Sequence, residues 1–445
     1  MTKSMTEGRP SVLIFNFVVP LMVSGTLQFF YTIADSAIVG RLIGVRAFAA
    51  VGATGFFYWL AVSAGLGLTQ GFGVIFAQRF GAEDYAGLKR AYKTGFVLSL
   101  GIGAALSAAG ALSAKPLLAL FATPADILDM SALYLAIMLG GLCFSYLNNL
   151  LSATLRGMGD SRSPMIAAIV ASAVNITLDI IAVVSFGWGV AGVAAATVFA
   201  QALSALICAL TVNAGLRKLS YGNSADKKEF RGEAGILLDL GLPIAARSLV
   251  ISLGGLALQY VVNGYGSVFI AGIAASWKLY GLLEVIGGAY EAATGTYVGQ
   301  NFGARKMERV REGMKSSRAI VLAVSCVIAI LIVIWGKSIL GLLVSGEGSA
   351  EVIEIGKRQL NIMAAGLPSL YILLLYQAAL GGLGNTRIAM AAGFMEMAAR
   401  VICAFAFSRA FGEWGVYTAE VIGWPIAAFY LLLKYSKINK TYLTI

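Results

Sequence analysis

Ser24–Asp35 reads SGTLQFFYTIAD and lies inside an apolar run, from about Val12 to Val39, that is long enough to cross a bilayer. Ser24, Gln28, Tyr31 and Asp35 are spaced four, three and four residues apart. At about 100° per residue they share a narrow stripe of one helix face. The other faces are mostly Leu, Phe, Ile, Val and Ala. A carboxylate near mid-membrane costs about 2.5–3.5 kcal/mol on insertion scales, so Asp35 is a functional-site expectation, and a plain helix–helix hydrogen bond is the alternative. The run is too long for a signal-peptide core and has no clear cleavage site, so a retained helix is expected.

The composition extends this reading to the whole chain. Of 445 residues, 59% are hydrophobic and only 12% charged, about half the charged share of a soluble domain. There is no His, which excludes a His-ligated metal, a His proton relay and a Ser-His-Asp triad. Cys143, Cys208, Cys326 and Cys403 are isolated within apolar segments and read as packing residues. No Walker-type GxxxxGK[ST] occurs, so an ATP-driven pump has no support. Gly65, Gly67, Gly71 and Gly73 follow no strand and read as close helix packing.

Apolar runs give twelve spans, at about 12–39, 48–77, 92–114, 131–154, 163–186, 190–212, 235–263, 267–299, 318–340, 358–382, 388–409 and 415–434. An even number puts both termini on one side. Most of the 33 Lys and Arg lie in the segments on that side, Lys3, Lys227 and Lys228 among them. The bias predicts a cytoplasmic location for the termini in a plasma (bacterial inner) membrane. The net charge of +11 therefore marks orientation and contact with anionic lipid, and no nucleic-acid partner is expected.

The chain also repeats. Gln78-Arg-Phe-Gly-Ala82 returns as Gln300-Asn-Phe-Gly-Ala304, Leu155-Arg-Gly-Met-Gly-Asp-Ser-Arg162 as Leu380-Gly-Gly-Leu-Gly-Asn-Thr-Arg387, and Trp188-Gly-Val190 as Trp414-Gly-Val416. Six spans per half give the halves the same orientation, a parallel repeat of the transporter kind with a site expected between the lobes. The predicted architecture is an all-α integral membrane protein: an N-lobe over 1–212, a cytoplasmic linker over 213–234 and a C-lobe over 235–445.

The chemistry concentrates in the first half. Span five places Asn175 and Asp179 one turn apart on one face. If Asp35 and Asp179 share a cavity, both cannot ionise cheaply, and one then exchanges a proton under working conditions. The same oxygens, with Asn175 and a hydroxyl such as Thr197 in span six, could instead hold Na⁺; the residues do not separate H⁺ from Na⁺, and no other metal or cofactor is expected. In the second half Ser248, Ser252, Gln259 and Asn263 repeat the polar stripe. Asn175 corresponds there to Arg400 and Asp179 to Ala404, so the switchable acids are lost and Gln259 and Asn263 are expected to line a substrate path. Glu284 and Glu291 share a face of span eight and are candidate substrate or ion contacts. Glu396 and Arg400 are i and i+4 and are expected to pair, while Arg247 and Glu420 read as structural.

At this point the residues resemble the multidrug and toxic compound extrusion (MATE) family. The likeness rests on Pro20, Asp35 and Val39-Gly40 of the first helix, Ala49-Ala-Val-Gly52, VGQNFGA at Val298–Ala304 and Gly-Trp-Gly-Val-Ala-Gly at Gly187–Gly192. It covers essentially all of the chain. It is closest to the DinF-like branch, whose Asp on helix one, Asn-x-x-x-Asp on helix five and Thr on helix six match Asp35, Asn175/Asp179 and Thr197; Gln28 and Tyr31 match cavity-facing positions. The NorM-like branch carries second-half acids, and this chain has no Asp or Glu between Gly241 and Tyr280 or between Gln359 and Met395. The resemblance implies a V-shaped pair of lobes, alternating access and a cation-coupled antiporter that exports organic, often cationic, small molecules. The expected protein is monomeric and not an enzyme. A flippase for a lipid-linked precursor is the alternative; it would want a cationic cavity for phosphates.

Overall fold

The computed structural model describes residues 4–219, 227–343 and 349–441. Lys3, the 220–226 part of the expected linker and 442–445 lie outside the described residues, as do the side chains of Lys227 and Lys228. Helices α1 to α15 occupy almost all of the described chain, which contains no strand. They are α1 Pro10–Ile38, α2 Val45–Gly81, α3 Tyr85–Leu120, α4 Ala125–Gly140, α5 Leu142–Gly157, α6 Arg162–Ile180, α7 Gly189–Lys218 and α8 Lys227–Asn263, then α9 Ser267–Gly303, α10 Met307–Leu343, α11 Ser349–Gly382, α12 Thr386–Ile402, α13 Ser408–Phe411, α14 Glu413–Ala419 and α15 Gly423–Thr441.

Among the described residues, eleven helical stretches are long and apolar enough to cross a membrane, and the pair α4/α5, bent by 41°, makes the twelfth. Each falls on one of the expected spans. The protein is an all-α integral membrane protein. The helices run past the apolar runs into polar sequence because Lys, Arg, Glu and Gln are good helix formers that do not need lipid; 213–218 of the expected linker is the end of α7. The bend in the fourth crossing sits at Gly141, where a Cβ would come within 2.4 Å of a Val198 methyl. α7 passes too close there for any side chain. Wide π turns at Val39–Ile43, Ile181–Ser185 and Cys403–Phe407 extend α1, α6 and α12. Such turns insert one residue into the hydrogen-bond ladder and recur at functional sites.

The repeated motifs make the same turns twice. After Gln78-Arg-Phe-Gly-Ala82 the amide of Asp84 donates to Arg79 O at 3.0 Å; after Gln300-Asn-Phe-Gly-Ala304 the amide of Lys306 donates to Asn301 O at 2.8 Å. The residue between, Glu83 or Arg305, takes a left-handed φ of 58° or 59°. Gly159 and Gly384 do the same at 81° and 84°, closing Asp160 N to Leu155 O and Asn385 N to Leu380 O. These are helix C-caps of the left-handed kind. The core repeats too. Tyr146 lies against Gly65 and donates to Ala61 O at 3.0 Å, and Tyr371 lies against Gly287 and donates to Leu283 O at 2.9 Å.

The chain divides into two compact units, Met1–Met5 with Asn16–Ala245, and Thr6–Phe15 with Ala246–Ile445. The first helix of each half thus begins in the other half's unit. In unit 1, α8 lies so close to α2 that a Cβ on Gly67 or Gly71 would stand 2.7 Å from Ala245 Cα or 2.4 Å from Gly241 Cα. Near the start of α8, Glu233 pairs with Arg79 at 2.9 Å. In unit 2, Lys306 Nζ and Arg309 Nη2 donate to the carbonyls of Thr6 and Gly8 at 3.2 and 2.9 Å. The core of unit 1 gathers Phe72, Phe76, Leu88, Leu150, Leu155 and Val212 from α2, α3, α5 and α7. Large apolar side chains such as Phe30, Leu112, Val184 and Leu210 remain exposed, as suits a lipid-facing surface.

Candidate functional site: a buried carboxylate pair

Three elements of unit 1 meet at the acids. α1 carries Asp35 just before its π turn, and α6 carries Asn175 and Asp179 just before its own. α7 supplies Thr197. Asp35 is half-buried, while Asn175 and Asp179 are completely buried at 1% and 0% exposure. With the Asn175 amide turned so that both its ends are satisfied, Nδ2 donates to Asp35 Oδ1 at 3.1 Å and its oxygen accepts from the Thr197 amide at 3.2 Å. The Thr197 hydroxyl donates to Val193 O at 3.0 Å. Asn175 therefore ties α1 to α7 through α6.

Asp179 is the anomaly. Neither of its carboxylate oxygens has a hydrogen-bond donor among the described residues. The Asp35 carboxyl faces it within hydrogen-bonding reach. Two ionised carboxylates are acceptors only, so that contact becomes a hydrogen bond when one of them holds a proton. A buried polar group left unpaired costs about 1–3 kcal/mol, and more when charged. Val39, Ala47, Val190 and Val193 form a small buried apolar cluster against which Tyr134 packs.

Three tyrosines complete the surroundings. Tyr31 and Tyr134 are near enough to both carboxyls and to Tyr58 to interact with them electrostatically. The Tyr58 hydroxyl accepts from Gln201 Nε2 at 2.7 Å. Tyr58, Tyr134 and Gln201 were not singled out from the sequence. Gln201 carried a signal, since it follows Thr197 by one helical turn on the same face. Tyr58 was hidden in the aromatic run Phe56-Phe-Tyr-Trp59, where a cavity tyrosine cannot be told from a lipid-facing one. All the side-chain donor atoms offered by Asp35, Asp179, Thr197 and the Asn175 carbonyl are oxygen, which suits a hard cation. Among the described residues no cluster of three or more His, Cys, Asp or Glu could hold a metal.

Unit 2 is built differently. Gln28 on α1 is exposed, and in unit 2 the stripe on α8 is satisfied locally. The Ser252 hydroxyl donates to Ser248 O at 2.9 Å, and Gln259 Nε2 to Asn263 Oδ1 at 2.7 Å. Glu291 meets Arg247 at 3.4 Å. Arg400 pairs with Glu396 at 3.2 Å, as its spacing suggests, and also with Glu420 at 2.6 Å. Glu284 faces this cluster but has no ion pair or hydrogen bond of its own among the described residues.

Twelve apolar crossings in a twofold repeat, with a buried Asp179 that lacks a donor among the described residues and faces a second carboxyl, suit a polytopic membrane transporter. The MatE family profile matches residues 20–181 and 243–406. The chain belongs to that family of multidrug efflux transporters. It is similar to the Bacillus subtilis protein named "Probable multidrug resistance protein YpnP", 26% identical over 363 residues that cover 82% of this chain and 80% of that one. It is also similar to DNA damage-inducible protein F of Escherichia coli, 25% identical over 337 residues that cover 75% and 72%. Its fold matches that of a MOP-superfamily transporter from Pyrococcus furiosus with a TM-score of 0.91 at 22% identity, covering 98% of both chains. An outward-facing MATE transporter structure matches with a TM-score of 0.88, covering 99% of this chain and 98% of that one.

Proposed function

We propose that the protein is a cation-coupled antiporter that exports organic, cationic or amphipathic small molecules, with Asp35 and Asp179 as the coupling carboxylates and Asn175 and Thr197 as their supports. The observation that carries this reading is the completely buried Asp179, whose oxygens find no donor while a second carboxyl faces them. An acid pair of that kind is costly empty and is relieved by one positive charge. A proton shared between the two oxygens supplies it, and so does a Na⁺ ligated by the same oxygens. The positive charge of a bound compound reaching Asp35, the half-buried member of the pair, supplies it as well. Coupling ion and cargo then compete for one charge vacancy, and that competition makes their movement an exchange.

Asn175 links this occupancy to the helices. Its Nδ2 holds an ionised Asp35 more strongly than a protonated one, because hydrogen bonds to charged groups are about twice as strong. Neutralising Asp35 loosens the tie between α1 and α6. α1 is able to respond, since Pro20 removes one ladder hydrogen bond and the turn at Val39–Ile43 is already wide. Alternating access would follow, in a monomer of the bacterial inner membrane with cytoplasmic termini. The coupling ion is cargo, so no cofactor is required.

The test is efflux of a fluorescent organic cation from proteoliposomes under a pH gradient or a Na⁺ gradient imposed separately, with wild type beside Asp35→Asn. Transport driven by either gradient and lost in Asp35→Asn supports the reading and identifies the ion. Gradient-driven transport that is unchanged in Asp35→Asn overturns it.

A further inference from the structure

Arg400 occupies the place in unit 2 that the exchangeable site holds in unit 1. The repeat register that pairs Asp160 with Asn385 and Trp188 with Trp414 superposes Asn175 on Arg400, Asp179 on Ala404 and Thr197 on Gly423. The oxygen ligands that α6 and α7 bring to the unit 1 site are thus missing from their copies. In their place lies one guanidinium, 4% exposed, with Glu396 and Glu420 at 3.2 and 2.6 Å. Gly423 is part of the arrangement, since a Cβ there would come within 3.0 Å of Glu396 Cγ. The helix-to-helix tie is preserved as well. In unit 1, Asn175 on α6 donates to Asp35 on α1; in unit 2, Arg400 on α12 donates to Ile251 O on α8 at 3.1 Å.

We infer that Arg400 is a tethered cation that permanently fills the second half's copy of the coupling site, so that unit 2 binds no exchangeable ion. The inference rests on the reading of Asp35 and Asp179 as the coupling pair, but it concerns a separate set of atoms. An arginine is charged at every working pH and cannot leave. The groups facing it are Glu396 on α12, Glu420 between α14 and α15, Glu284 and Tyr280 on α9, and Arg247 on α8, which is itself engaged by Glu291. Removing the guanidinium leaves Glu396 and Glu420 without the cation they pair with, Arg247 being held by Glu291, a state that resembles that of Asp35 and Asp179. The vacated site should then accept a free planar cation of the same shape, held by the two carboxylates that Arg400 leaves behind.

The experiment uses purified Arg400→Ala in detergent, with low-millimolar guanidinium chloride as the probe and sodium chloride as the salt control. Guanidinium is expected to raise the melting temperature of the variant by several degrees and to release protons from the carboxylates as it binds, measured in weak buffer. Wild type should show neither response. A broken structural salt bridge would not yield the linked proton release. Because the readout does not use transport, repeating it in an Asp35→Asn background separates failure here from failure of the coupling assignment. If Arg400→Ala does not fold, Arg400→Ala with Glu420→Gln leaves one buried carboxylate and should bind guanidinium more weakly. The inference is overturned if the folded variant shows no guanidinium-linked proton release, if wild type responds equally, or if neither variant folds with guanidinium supplied throughout purification.

Discussion

Asp179→Asn should make the protein more stable while stopping it from working. The side chain is completely buried, and neither of its oxygens has a donor among the described residues. An amide at the same place offers a donor to the facing Asp35 carboxylate and removes one of two like charges. Relieving one unsatisfied buried group is worth about 1–3 kcal/mol, and for a folding unit of about 200 residues each kcal/mol moves the melting temperature by about 2–4 °C. The gain depends on pH. At acid pH the wild-type pair shares a proton and makes the hydrogen bond itself, so the two proteins should melt together. At alkaline pH the wild-type pair has no proton to share, and the variant should lead by the full amount. The assay is thermal unfolding in detergent across pH, by intrinsic fluorescence or loss of monodispersity, beside gradient-driven efflux from proteoliposomes. A variant that is less stable than wild type at alkaline pH would refute the reasoning, because it would mean that Asp179 already has a partner that the amide cannot replace.

Other expectations follow from packing and capping. Gly71→Ala puts a methyl 2.4 Å from Gly241 Cα and should cost about 1–3 kcal/mol by overpacking; Gly55→Ala, with nothing within 4 Å of the new methyl, should be neutral or stabilising, and thermal melts of the two separate close approach from helix propensity. Asp160 caps α6 by accepting from the amides of Arg162 and Ser163 and from the Ser163 hydroxyl. Its burial opposes the charge, yet the Ser163 amide and hydroxyl hold it below the usual carboxylate range, so its contribution is present at neutral pH and lost as the pH falls into the acid range. Asp160→Ala should cost about 0.5–2 kcal/mol, and Asn385→Ala less, since Asn385 makes no side-chain cap. Arg79→Ala leaves Glu233, whose side chain is 7% exposed, without its cation and should cost about 3 kcal/mol; adding Glu233→Gln should recover most of that, and a double-mutant cycle on melting temperature checks it.

The crossings were legible because a bilayer demands about 20 apolar residues per helix, and polar breaks between such runs are hard to mistake. The candidate acids were legible for the same reason: Asp35 and Asp179 stand out where almost everything else is hydrocarbon. The tyrosines around them were not, because in a membrane helix an aromatic residue is as much at home against lipid as in a cavity. The close approach at the Gly141 bend was invisible as well, because it involves Val198 on another helix.

Charge partners divide along the same line. Glu396 and Arg400 could be paired from spacing, since one turn of helix brings them together. Glu420 reaching Arg400 and Arg247 reaching Glu291 could not, because those pairs join residues on different elements. The glycines of α2 announced close packing but not their partners, which turned out to be α5 for Gly65 and Gly73 and, for Gly67 and Gly71, the first half of α8, a helix that the sequence assigns to the other repeat. Sequence by itself determined the membrane class, the twelve crossings, the internal repeat and the two acids, all of which follow from local periodicity and the cost of charge in hydrocarbon. Tertiary structure alone decided which faces meet: that Asp179 has no donor among the described residues, that Asn175 reaches Asp35, and that Glu420 closes on Arg400. Such contacts depend on helix rotation and approach, and these are set by the packing of residues far apart in the chain.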